Sequence, residues 1–192
     1  MRCILCSNLS LSIICSNCQK TLLVGNIRKR KVFNITIYSF FVYENISDLI
    51  LTKYTIIGSS VFKILAKITF KEFAKRVNFS NRVYAIPIDD RVTDDRGYSH
   101  TAILSSFLKS GSIEPLFGKL RAKNSIKYAN KSYKERLRYK RNFIYTGPKN
   151  IDVILVDDIV TTGLTMREAY LKLSEYNVNV LFGITLADAK GI

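Results

Sequence analysis

Proline and glycine are scarce in this chain of 192 residues, which has three and nine of them, and no internal repeat or low-complexity tract is present. Because 47% of the residues are apolar and 23% are charged, the composition argues against intrinsic disorder and allows a hydrophobic core. Long uncharged apolar runs are also lacking. The most apolar later window, residues 49–70, contains Lys53, Lys63 and Lys67, too many charges for a membrane span.

The N-terminus has two Cys and polar residues where a signal peptide would have a continuous apolar core. We therefore expect no signal peptide. The length suits one ordinary domain with a small appendage. Together these absences predict a soluble, cytoplasmic protein.

Acidic residues are few: 30 Lys and Arg stand against 15 Asp and Glu, a net charge of +15. This excess implies an anionic partner, either nucleic acid or an acidic membrane surface. More than half of it lies in residues 119–141, where Tyr128, Tyr133 and Tyr139 are interleaved with cations. Cations that follow a backbone and aromatic rings that stack on bases are typical of single-stranded nucleic-acid binding. A merely solvated, charged hairpin is the alternative. The candidate nucleic-acid residues are Lys127, Lys131, Tyr133, Lys134, Arg136, Arg138, Lys140 and Arg141.

Cysteine is absent after residue 18, and the four that precede it form two CxxC pairs, Cys3/Cys6 and Cys15/Cys18. Two such pairs bring four thiolates within tetrahedral reach of one zinc ion. Disulfides are the alternative, which a reducing cytosol disfavours. The sequence thus predicts a closed, structural zinc ribbon. The basic run at residues 28–31 is interpreted as its end, either as a solvated linker or as a contact for phosphate, and the domain boundary is predicted after residue 30.

One late segment combines a buried strand, an acidic pair and a turn rich in hydroxyl groups. The unbroken apolar run Val153–Val156 is typical of a strand buried on both faces. Asp157 and Asp158 follow it, where ligands bind at the carboxyl ends of parallel strands. The next residues, Thr161–Thr165, lead into a helix predicted at 166–176. Backbone N–H groups of such a turn and of the helix N-terminus hold phosphate monoesters.

This segment resembles, position by position over residues 153–165, the phosphoribosyl pyrophosphate (PRPP) motif of type I phosphoribosyltransferases. The resemblance implies that Asp157 and Asp158 meet the ribose hydroxyls. It also implies that the following loop wraps the 5-phosphate. The residues of that loop are Val160, Thr161, Thr162, Gly163 and Thr165.

The rest of the chain alternates strand-like and helix-like segments. We predict a strand or hairpin at 31–43, a helix from Ser47 to about Val77 with a break near Gly58, and a strand at 84–88. A helix is predicted at 101–108. Further short strands are predicted at 115–120, 143–145 and 179–186. This order predicts a doubly wound α/β fold with a mostly parallel sheet.

The whole order of features resembles the ComF (ComFC-like) competence family. The four-Cys ribbon, the Ile86-Pro87-Ile88 strand with a later Arg96-Gly97 turn, the basic segment and the terminal PRPP motif carry this resemblance. It implies a pyrophosphate loop at 88–97, with Arg91, Arg96 and the later Lys123 as anion ligands; pairing of the arginines with nearby Asp residues is the alternative. The family usually has Phe-Asn-Gln where this chain has residues 98–100, and the Gln usual near residues 127–128 is missing.

His100 is the only histidine. As a residue that titrates near neutrality it is a conceivable general base. Packing or capping at the start of a helix is the alternative.

Two functions from different classes follow. The ComF resemblance implies a PRPP-binding zinc protein that handles single-stranded DNA during natural transformation, alongside other uptake proteins such as a helicase or an inner-membrane channel. Such a protein would be cytoplasmic, at the inner face of the membrane. The alternative is an active phosphoribosyltransferase in which Mg²⁺ accompanies PRPP.

Overall fold

The computed structural model of the chain describes residues 1–89, 97–123 and 141–190. Its strands are β1 (Arg28–Val32), β2 (Ile35–Val42), β3 (Val83–Pro87), β4 (Ile113–Pro115), β5 (Leu120–Ala122), β6 (Phe143–Tyr145), β7 (Asp152–Val160) and β8 (Asn179–Asp188). Its helices are α1 (Ser16–Thr21), α2 (Tyr43–Leu51), α3 (Gly58–Ile68), α4 (Phe70–Arg76), α5 (His100–Ser106) and α6 (Leu164–Ser174), with one 3₁₀ turn at Thr52–Tyr54.

Six of these strands form one sheet in the order β1-β2-β8-β7-β3-β4. The five strands from β2 to β4 are parallel, and only the edge strand β1 runs antiparallel to its neighbour. Strands β5 and β6 form a separate antiparallel hairpin. The predicted α/β fold with a mostly parallel sheet is thereby confirmed.

The central strand β7 is buried on both faces, as its apolar run predicted. On one face Ile154 and Val156 share a core with helices α2 to α5. On the other face Val153 and Leu155 share a second core with α6. Alternate side chains of one strand therefore fix helices to both sides of the sheet, which defines the doubly wound layout.

Strands β3 and β7 are neighbours whose chain connections diverge. From β3 the chain passes through α5 to β4 on one side, whereas from β7 it passes through α6 to β8 on the other. A crevice opens outside the carboxyl ends of two parallel strands at such a switch point, and ligands bind there in open α/β sheets. The loops after β3 and β7 begin at this crevice.

The N-terminal residues are part of the same folded body. Cys3, Ile14, Cys18 and Leu23 are buried in the core that contains α2 to α5. The basic run interpreted as the end of the ribbon is part of strand β1 of the main sheet, and its residues pair in antiparallel register with those of β2. Whether residues 1–30 fold independently stays a prediction.

Two element predictions were wrong. The helix expected from Ser47 begins at Tyr43, directly after β2 and without a side-chain cap. The single strand expected at 115–120 is two strands in different sheets. Gly118, with φ +65°, lies in the turn between them, and that left-handed conformation interrupts an extended run.

Among the described helices, none is both long and apolar enough to cross a bilayer.

Candidate functional site

The turn after β7 has the backbone conformation that the sequence predicts for an anion-binding loop. Thr161 and Thr162 follow the strand and are half-buried, and Gly163 adopts φ +78° immediately before α6. Thr165 lies in the first turn of that helix. Because the first N–H groups of a helix lack intrahelical partners, they favour an anion here.

Strand β1 holds this turn in place. The guanidinium of Arg30 donates to the carbonyl of Thr161 at 2.9 Å and pairs with Asp188 at 2.8 Å. A Cβ on Gly163 would lie 2.0 Å from Cγ1 of Val32. One turn further, the guanidinium of Arg167 lies 4.7 Å from the centre of the Phe33 ring. The β1–β2 hairpin therefore contacts the turn and the first turn of α6.

The two acids lie within β7, before its last residue Val160, and one of them contacts a lysine and a histidine. Asp158 is 4% exposed. Its Oδ2 atom lies 2.6 Å from Nζ of Lys53 and 3.5 Å from Nε2 of His100. Asp157 is half-buried, and its Oδ1 accepts the backbone N–H of Asp158 at 2.9 Å.

The environments of these acids move their pKa values in opposite directions. Burial, and then the charge of Asp158, raises the pKa of Asp157 well above its ordinary value. Burial opposes ionisation of Asp158 too, but Lys53 and His100 outweigh it and hold the pKa of Asp158 below its ordinary value. Burial lowers the pKa of Lys53, and Asp158 overcomes this and raises it. Acid pairs with divergent pKa values are common at functional sites.

The segment after β3 approaches the same acids. Asp89 is buried and accepts hydrogen bonds from the hydroxyls of Ser99 and Thr101. Ser99 also caps α5 through the N–H of Ala102. The hydroxyl of Tyr98 donates to the carbonyl of Lys53 at 3.1 Å. The predicted anion ligands Arg91 and Arg96 lie outside the described residues.

The hairpin β5–β6 joins this edge of the sheet, because backbone bonds link Asp89 with Leu120 and Ala122. Lys123 follows β5, and its N–H donates to the carbonyl of Asn142 at 3.2 Å. The N–H of Arg141 donates to Glu168 of α6 at 2.7 Å. The residues that border the undescribed part of the basic segment therefore contact the β5–β6 hairpin and α6, and the charge of Arg141 acts on Asp157. Seven of its predicted nucleic-acid residues lie outside the described ranges: Lys127, Lys131, Tyr133, Lys134, Arg136, Arg138 and Lys140.

The four cysteines form one compact cluster in which all Sγ atoms lie within 4.8 Å of one another. The Cys3–Cys18 and Cys6–Cys15 sulfur pairs are 3.9 and 3.7 Å apart. A disulfide requires about 2.05 Å, whereas sulfurs around a tetrahedral zinc with Zn–S of about 2.3 Å are about 3.8 Å apart. The N–H of Cys15 donates to Sγ of Cys3 and contributes most to lowering the Cys3 pKa to about 6. The donor set and spacing fit a metal such as zinc.

Three contacts of the site were missed by sequence reasoning. The sequence pattern indicates only a basic run around Arg30, a charge within an apolar window at Lys53, and a packing or base role without a defined partner for His100. The packing role of His100 is borne out by its burial and by its edge-on contact with Phe62, 5.4 Å between ring centres. His100 and Asp158 are far apart in the chain, as are the partners of Arg30 and Lys53. No local sequence pattern therefore predicts these contacts.

No protein-family model matches the chain, and no curated protein matches it. Solved structures with a similar fold include a hypoxanthine phosphoribosyltransferase from Staphylococcus aureus, 16% identical, with a TM-score of 0.41 over 68% of this chain and 67% of that one. Adenine phosphoribosyltransferase from Saccharomyces cerevisiae is 16% identical, with a TM-score of 0.41 over 90% of this chain and 88% of that one. The adenine enzyme from Trypanosoma brucei is 15% identical, with a TM-score of 0.42 over 88% and 78%. Identity and TM-score are low in all three.

Proposed function

We propose that this chain is a PRPP-binding, zinc-containing protein that handles single-stranded DNA during DNA uptake. One observation carries the PRPP site. The acid pair and the hydroxyl-rich turn lie together at the carboxyl end of β7, beside β3, where the chain connections of these two strands diverge to opposite sides. A turn closed by Gly163 offers backbone donors to a 5-phosphate. Asp157 and Asp158 beside it are acceptors for sugar hydroxyls.

The resemblance of residues 153–165 to the PRPP motif supplies the identity of the sugar phosphate. In this proposal Val160, Thr161, Thr162, Gly163 and Thr165 surround the 5-phosphate. Arg91, Arg96 and Lys123 face the pyrophosphate. Mg²⁺ bound together with PRPP would neutralise part of the negative charge of its phosphates.

Zinc is proposed at the four-Cys cluster as a closed structural site. Four thiolates fill its tetrahedron and leave no open position for catalysis. Its role is to stabilise residues 1–23, several of which are buried in the main core.

The DNA-binding part of the proposal depends on charge. The chain carries +15, and the charge of Arg141, at one end of its basic, Tyr-containing segment, acts on Asp157 of the proposed PRPP site. Binding of a nucleic-acid backbone by such a segment releases counterions, so the affinity falls steeply with salt. A PRPP-controlled DNA contact is the arrangement that this proximity favours.

PRPP binding is tested by thermal unfolding with increasing PRPP, with and without Mg²⁺. Asp157→Ala/Asp158→Ala should abolish the rise in Tm, and an unchanged PRPP affinity would refute the site assignment.

DNA binding is tested by fluorescence anisotropy of labelled single-stranded DNA at about 50 and 200 mM salt. Charge reversal at Lys131, Lys134 and Arg138 should abolish it. Reversal at the exposed Lys63, Lys67 and Lys71 is the matched control, and equal losses in the two triple variants would contradict a dedicated segment.

An active phosphoribosyltransferase is the second candidate, and one cavity favours it. This cavity, of about 660 Å³, lies between α6 and the β5–β6 hairpin and is lined in part by Phe143, Leu164 and Tyr176. Its volume suits a small organic acceptor, and Leu164 directly follows the candidate phosphate turn. Release of pyrophosphate from PRPP in the presence of a nitrogen nucleophile would support this candidate. If no pyrophosphate is released with any of a panel of nucleobases and amines, only the binding function is supported.

A further inference from the structure

Lys53 lies in the 3₁₀ turn after α2, far in sequence from the acid pair, yet its ammonium contacts Asp158 at 2.6 Å. Its side chain is 14% exposed and that of Asp158 is 5% exposed. An ion pair of this kind is costly to desolvate, and it is weak evidence of stabilisation by itself. Its position at the carboxyl end of β7, within the candidate site, suggests another use.

The fold fixes the backbone of Lys53 with several contacts. The hydroxyl of Tyr98 donates to its carbonyl, and the N–H of Thr55 donates to the carbonyl of Thr52. A Cβ on Gly58 would lie 2.2 Å from both the Thr52 carbonyl oxygen and the Tyr98 hydroxyl. The turn that carries Lys53 is therefore pressed against the segment that follows β3, and the ammonium is held in place before any ligand arrives.

The chemistry of a sugar hydroxyl fits this pair. A hydroxyl both donates and accepts hydrogen bonds, so a site that recognises one supplies an acceptor and a donor together. Asp158 is the acceptor. Lys53, with three N–H donors of which Asp158 takes one, is a charged donor next to it. A carboxylate alone accepts from the hydroxyl and leaves the oxygen's own lone pairs unmatched.

We propose that Lys53 is a specificity-determining residue that, together with Asp158, recognises a ring hydroxyl of the sugar phosphate. This inference rests on the proposed sugar-phosphate site and deepens it, because it makes the site selective for ribose over sugars that lack or invert one hydroxyl. Sites built to hydrogen-bond a hydroxyl reject analogues without it, since their buried polar groups are then left unmatched.

Titration calorimetry with three probes tests this: ribose 5-phosphate, 2-deoxyribose 5-phosphate and xylose 5-phosphate, which is inverted at C3. Wild-type protein should prefer ribose 5-phosphate over at least one of the other two by about tenfold or more. Lys53→Met should reduce that preference to within about threefold. The matched control, Lys63→Met, removes an exposed lysine of α3 and should keep the wild-type preference.

Lys53→Met leaves Asp158 without its main partner and is prone to misfold. Lys53→Arg keeps the charge pair but moves the donors, and it should fold and lose the preference. A preference that survives in a folded Lys53 variant, even with weaker binding of all three probes, would overturn the inference and leave Lys53 a structural residue. Wild-type protein that binds the three probes equally would also overturn it, with the PRPP site intact. Failure to bind PRPP or any probe would instead overturn the proposed function.

Discussion

Gly163 packs so closely against Val32 that any side chain at residue 163 would overlap it: an added Cβ would lie 2.0 Å from Cγ1 of Val32. Gly163 also has φ +78°, a conformation that residues with a side chain adopt at a cost. An edge strand near the N-terminus and a turn near the C-terminus thus form one tightly packed contact. The shape of the candidate phosphate turn depends on both.

The first prediction concerns this contact. Gly163→Ala should destabilise the fold by about 1–3 kcal/mol through backbone strain alone, and it should weaken PRPP binding at least about tenfold because the turn is displaced. Val32→Ala/Gly163→Ala should recover part of both losses, since it removes the methyl that the new Cβ meets. Urea unfolding and calorimetry measure the two effects. Gly111→Ala is the control, because a Cβ there meets nothing within 4 Å; equal losses in the two single variants would contradict the packing argument.

The second prediction concerns the tether from β1. Arg30→Gln removes the guanidinium that joins the Thr161 carbonyl to Asp188. We expect weaker PRPP binding, by about tenfold, with a smaller change in Tm, because the turn loses its anchor while the sheet stays paired. Lys29→Gln, an exposed neighbour on the same strand, should bind PRPP as wild type does. An Arg30→Gln protein with unchanged affinity would show that the turn keeps its shape without the tether.

The third prediction concerns pH. The pKa of Asp158 is lowered in the folded protein, so this carboxyl stabilises the fold fully above its unfolded pKa of about 3.9 and loses that contribution progressively as the pH falls from there towards the lower folded value. Asp158→Asn should therefore be less stable than wild type at pH 7, and the difference should shrink toward pH 3. Urea unfolding across this range measures it.

The dependence of stability on pH has the opposite sign for Asp157, because the pKa of this carboxyl is raised. Its contribution is present at low pH and is lost as the pH rises through the interval between the unfolded and folded values. Because Asn resembles the protonated acid, the stability of wild type relative to Asp157→Asn should accordingly fall as the pH rises through that interval. Parallel pH profiles for the two Asn variants would contradict the assigned environments of the acids.

The fourth prediction concerns the metal. The purified protein should contain about one zinc per chain, and chelation should increase hydrogen exchange first in residues 1–23. Because Ile14 and Leu23 are buried in the core shared with α2 and α3, Tm should also fall. Cys15→Ser should reproduce both effects, whereas Ser16→Ala should reproduce neither. Unchanged exchange on chelation would rule out a structural metal.

Local patterns in the sequence determined much of this protein. The apolar run Val153–Val156 predicts a strand buried on both faces, because only a central parallel strand accepts apolar side chains in succession. The paired CxxC spacing predicts a four-sulfur cluster, since two short turns each bring two thiols together. The alternation of strands and helices predicts the α/β class. Each of these features depends on residues close to one another in the chain.

Only the tertiary structure decided which distant residues complete the candidate site. Arg30 reaches Thr161, and Lys53 and His100 reach Asp158, because the parallel strands bring the segments after β2, β3 and β7 to one edge of the sheet and β1 pairs with β2. Neither propensity nor periodicity encodes such contacts, since they depend on sheet order and on the packing of helices against it. The sequence therefore determined the strand, the acids and the turn, whereas the fold determined which distant side chains contact them.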